Sequence, residues 1–67
     1  MTDPAYHQRH GELAMKTSKE LGEMLAKRGY RLTLLKRKQD KVYALMYLEK
    51  WPVVQEVVDK LGLEKVV

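Results

Sequence analysis

The chain has no cysteine and no phenylalanine, only two prolines, four glycines and one tryptophan in 67 residues. Without cysteine it has no disulfide, no thiolate metal site and no thiol nucleophile. A domain this short buries a modest share of its surface, so it depends on close aliphatic packing or on self-association. With phenylalanine absent, Tyr30, Tyr43, Tyr47 and Trp51 are the large pieces available to the core, beside Tyr6. No apolar run approaches the roughly eighteen residues of a membrane span, and the first residues lack the apolar stretch of a signal peptide. A soluble, cytoplasmic protein with no membrane partner is expected. No glycine-rich phosphate loop is present either, and the acidic side chains alternate with lysines, so no enzyme and no cofactor are expected.

What the chain does have is an uneven distribution of charge. Lys27, Arg28, Arg31, Lys36, Arg37, Lys38 and Lys41 face only Asp40 across residues 27–41, a formal +6, whereas the other fifty-two residues sum to −2. A concentration of this kind attracts polyanions, nucleic acid above all.

Residues 1–10 are polar and aperiodic and are assigned to a flexible N-terminal segment, leaving 11–67 as a single small domain. Over residues 11–28, Leu13/Ala14, Thr17, Leu21, Met24 and Leu25 recur at helical spacing, with Gly29 as the C-terminal stop. The capping-box pattern Thr17-Ser18-Lys19-Glu20 offers a second start within this stretch, and one longer helix is preferred. Tyr30 to Arg37 and Val42 to Leu48 alternate in the manner of two strands around the polar turn 38–41, predicting a β-hairpin. Trp51-Pro52 then opens a helix that carries Val53, Val54, Val57 and Val58 and ends at Gly62. The fold expected is α+β, a helix–β-hairpin–helix (αββα). A two-stranded sheet with two apolar faces calls for further cover, and a homodimer supplies it.

On this frame the seven basic residues gather at a hairpin tip and the adjacent helix end, where each phosphate neutralised would release a counterion. Binding of DNA or RNA is the first expectation. The alternative is a protein–protein interaction module that uses an apolar hairpin face or the valine-rich helix, its charge serving solubility. His7 and His10 form an HxxH pair without a further ligand motif, and no metal site is assigned. Trp51 is read as core in preference to a stacking platform.

Overall fold

The computed structural model of the protein describes residues 3–34 and 37–66. Two helices come first, α1 at Pro4–Ala14 and α2 at Ser18–Lys27. Strand β1 follows at Tyr30–Leu32, then α3 at Lys38–Leu48, α4 at Gln55–Leu61 and strand β2 at Leu63–Lys65. The two strands pair antiparallel, with Arg31 opposite Glu64. The domain is α+β, as its composition suggested, but in the order ααβααβ.

Each helix start has a local cause. Asp3 caps α1 by accepting the Ala5 amide at 2.9 Å, and Pro4 occupies the first turn, where an amide hydrogen has no helical partner. The segment read as loose therefore carries a helix that crosses residue 10. At α2 the capping box is complete: the Glu20 amide donates to Thr17 Oγ1 at 3.1 Å, and the Thr17 amide donates to the Glu20 carboxylate at 3.3 Å. The Thr17 amide and the Thr17 hydroxyl, both donating to the Glu20 carboxylate, hold its pKa below its ordinary value. The box divides the stretch 11–28 into two helices where one was expected. Gly29, at φ 79°, takes the left-handed conformation that ends α2.

The larger correction concerns Val42–Leu48, expected as a strand and found within α3. Val42, Ala44, Leu45 and Met46 are all buried there, because α3 packs against α1, α2 and α4 together. A helix covered on several sides has no clean polar stripe, and its sequence loses the period that identifies helices. The hairpin and its tip are thus absent. The partner of β1 is β2, which the chain reaches only after α3 and α4.

The core consists of Leu13, Leu21, Leu25, Leu32, Val42, Ala44, Leu45, Met46 and Leu61, with Tyr6, Tyr43 and Trp51 among the residues packed at its margin. The Trp51 ring meets that of Tyr6 edge to face at 6.0 Å, so the half-buried tryptophan packs on the core margin with part of its surface left to solvent. Trp51-Pro52 does not open the last helix directly, since α4 begins at Gln55. Gly62 ends α4 at φ 65°, and a β-carbon there would lie 2.5 Å from Thr33 Oγ1, so conformation and space both demand glycine. Among the described residues no helix is long and apolar enough to cross a membrane.

Candidate nucleic-acid interface

The basic residues expected at a hairpin tip and the adjacent helix end are divided among three elements. Lys27 and Arg28 close α2, Arg31 lies on β1, and Arg37, Lys38 and Lys41 occupy the first turn of α3 and its cap. Lys36 lies outside the described residues. Arg37 donates from Nε and from its backbone amide to Asp40 Oδ2, at 3.0 and 3.2 Å. This is half of a capping box, because a guanidinium has no acceptor with which to return the bond. Lys41 reaches across to the start of α2, its Nζ donating to Ser18 Oγ at 2.8 Å and to the Ser18 carbonyl at 3.2 Å. Arg31 pairs with Glu64 across the sheet at 3.5 Å, both side chains exposed. Among the described residues, Lys27 and Lys38 have no carboxylate partner within ion-pair distance. Arg31 and Lys41 share one shallow cleft of about 310 Å³ that runs along α2 past Gly22, Leu25 and Ala26. The patch is therefore a discontinuous surface, part of its charge already opposed by Asp40 and Glu64.

The C-terminal end of α3 holds features that charge counting along the sequence does not reveal. Glu49, the C-cap, is 13% exposed and receives two hydrogen bonds from Arg9, Nε to Oε1 at 2.8 Å and an Nη to Oε2 at 2.6 Å. Trp51 Nε1 donates to the same carboxylate at 3.2 Å, and Arg28 stands 3.8 Å away. The bonds from Arg9 hold the Glu49 pKa below the usual glutamate value against the opposing effect of burial, with smaller contributions from Trp51 and Arg28.

Next to Glu49, Lys50 has φ 72°, the only positive φ at a non-glycine residue among those described. Its amide donates to the Tyr47 carbonyl and that of Trp51 to the Met46 carbonyl, both at 3.0 Å, the paired bonds of a Schellman motif. Glycine is the residue that usually occupies this position, so the sequence carries no sign of the motif. Here α3, β1 and the end of α2 border an open groove of about 750 Å³ lined by Arg28, Tyr30, Tyr47, Leu48, Lys50 and Trp51.

The remaining candidates resolve simply. His7 lies edge-on to Tyr6 and His10 packs on Tyr43, and no group of three metal-ligating side chains occurs among the described residues. On α4 Val58 is buried, while Val57 and the preceding Val53 and Val54 line a cleft of about 420 Å³ with Tyr6 and Tyr43.

These features define a small, helix-rich α+β domain with a basic surface. Comparison with protein-family models, with curated proteins and with solved structures finds no match to this chain.

Proposed function

We propose that the protein binds DNA or RNA through phosphate contacts from Lys27, Arg28, Arg31, Arg37, Lys38 and Lys41, together with Lys36. The observation that carries this reading is the charge asymmetry, +6 within residues 27–41 against −2 elsewhere. Two features of the fold support it. Lys27 and Lys38 are exposed and lack carboxylate partners among the described residues. Lys38 also begins a helix, where the dipole disfavours a cation and a phosphate would be favoured in its place. Self-association belongs to the same proposal: each strand has only the other as a sheet neighbour among the described residues, and Leu34 and Val66 beside them are largely exposed.

The test is binding to mixed-sequence duplex and single-stranded oligonucleotides from low to physiological salt. Affinity should fall steeply with salt, and the double variant Lys27→Glu/Lys38→Glu should reduce the slope of log K against log salt by about two. Lys38→Glu places an acid where the dipole favours one, so the fold should tolerate it. Absence of binding at low salt overturns the proposal.

A second reading, a protein-interaction module, draws on the cleft beside α4. Val54 is 66% exposed there, and Arg37 and Lys60 sit at the margin of an apolar lining. That arrangement suits an amphipathic helix with an acidic edge.

A further inference from the structure

From the groove between the end of α2, β1 and the end of α3 we infer a subsite for one segment of single-stranded nucleic acid, a base stacking on the aromatic side chains while its phosphates meet Arg28 and Lys50. The inference deepens the nucleic-acid reading and rests on it. Three aromatic residues, Tyr30, Tyr47 and Trp51, and two cations line this groove, and no carboxylate is among its lining residues. Glu49, the nearest acid in sequence, takes its hydrogen bonds from Arg9 and Trp51, and Arg28 stands beyond them at 3.8 Å. Its volume of about 750 Å³ lies within the roughly 300–1,000 Å³ typical of sites for small ligands, room enough for a nucleotide unit.

Both cations sit at helix ends. Arg28 is the C-cap of α2 and Lys50 follows the C-cap of α3, so both sit where a helix dipole favours positive charge. Lys50 holds a left-handed conformation that glycine would adopt without strain, and a strained residue at the lip of a groove is characteristic of sites under functional constraint. Tyr47 is 39% exposed although it lies between buried Met46 and half-buried Leu48, leaving part of its ring free for contact. Aromatic rings of any sequence context accept any base face, whereas a duplex keeps its bases stacked inside and offers only its backbone. The groove therefore discriminates strandedness, and the patch on α2, β1 and α3 does not.

Trp51 is the only tryptophan and gives the experiment its own reporter. The full chain is titrated at low salt with a short oligothymidylate, with a duplex of equal phosphate number and with thymidine monophosphate, while Trp51 emission is followed. The oligothymidylate should quench the emission and the duplex should bind without quenching. Tyr47→Ala should weaken the single strand by about fivefold or more and leave the duplex unchanged. Lys50→Gly should weaken the single strand while raising thermal stability, a pairing that a purely structural role would not produce. If the single strand binds without quenching, or is indifferent to Tyr47→Ala, the groove is not the subsite and the broader proposal survives. If saturation by the monophosphate needs no higher concentration than the oligomer, a strand segment is the wrong ligand and the inference fails. If neither single strand nor duplex binds, the inference and the proposed function fall together.

Discussion

The two ends of α3 solve the same electrostatic problem in different ways. Each carries charge of the sign that the helix dipole disfavours: Arg37, Lys38 and Lys41 at the start, Glu49 at the finish. At the start the compensating partner is three residues away, Asp40 against Arg37. At the finish it is forty residues away, Arg9 on α1 against Glu49. A pair closed over three residues fixes only a helix boundary. A pair closed over forty fastens one helix to another, and its loss is felt by the whole fold. The contrast also shows in exposure, since Arg37 is 73% exposed and Arg9 30%.

The largest test of this difference is Arg9→Met, which keeps the aliphatic stem but leaves Glu49 partly buried without its bidentate partner. Denaturant unfolding should show a loss of about 2 kcal/mol at neutral pH. The loss should depend on pH with a definite sign. Because the folded pKa of Glu49 is depressed, the pair contributes fully above the unfolded value near 4.5, and the contribution disappears as pH falls through the lower folded value. Wild type and variant should therefore converge in acid; a constant gap would mean that Arg9 acts through packing alone.

A smaller loss, about 1 kcal/mol, is expected for Asp40→Ala, which removes the buried carboxylate that accepts from the Arg37 amide. Asp40→Asn, which retains an acceptor oxygen, should recover much of it. Equal losses for Asp40→Ala and Arg9→Met would erase the distinction between a local and a distant pair.

The smallest effect is a gain. Lys50→Gly relieves the left-handed lysine beside Glu49 and should raise stability by about 0.5–1 kcal/mol, measured by thermal unfolding. No gain would mean that Lys50 makes compensating contacts.

The same contrast explains what the sequence could disclose. The α2 helix was legible because one face meets the core and the rest meets solvent, and because Thr17, Glu20 and Gly29 mark its limits with local chemistry. Gly62 marked the end of α4 for the same reason. The signal for α1 is also local, in Asp3-Pro4, but the helix buries only Leu13 and shows little apolar period. The α3 helix was illegible because Val42, Ala44, Leu45 and Met46 are buried against different neighbours, so an alternating reading matched it as well as a helical one. Of the candidate surface, the charge excess could be counted directly. The groove could not, because it depends on Arg28, Tyr30 and Lys50 being brought together by tertiary packing, and on a Schellman turn that uses lysine in place of glycine.

The sheet imposes an order of events. Arg31 and Glu64 face each other across a separation of 33 residues, so β1 has no sheet partner until α3 and α4 have been made and folded back. The three-residue strand Leu63–Lys65 then acts as a latch on β1. Hydrogen exchange at the Thr33 amide, which donates to the Gly62 carbonyl at 3.0 Å, would register that latch opening before the helices loosen.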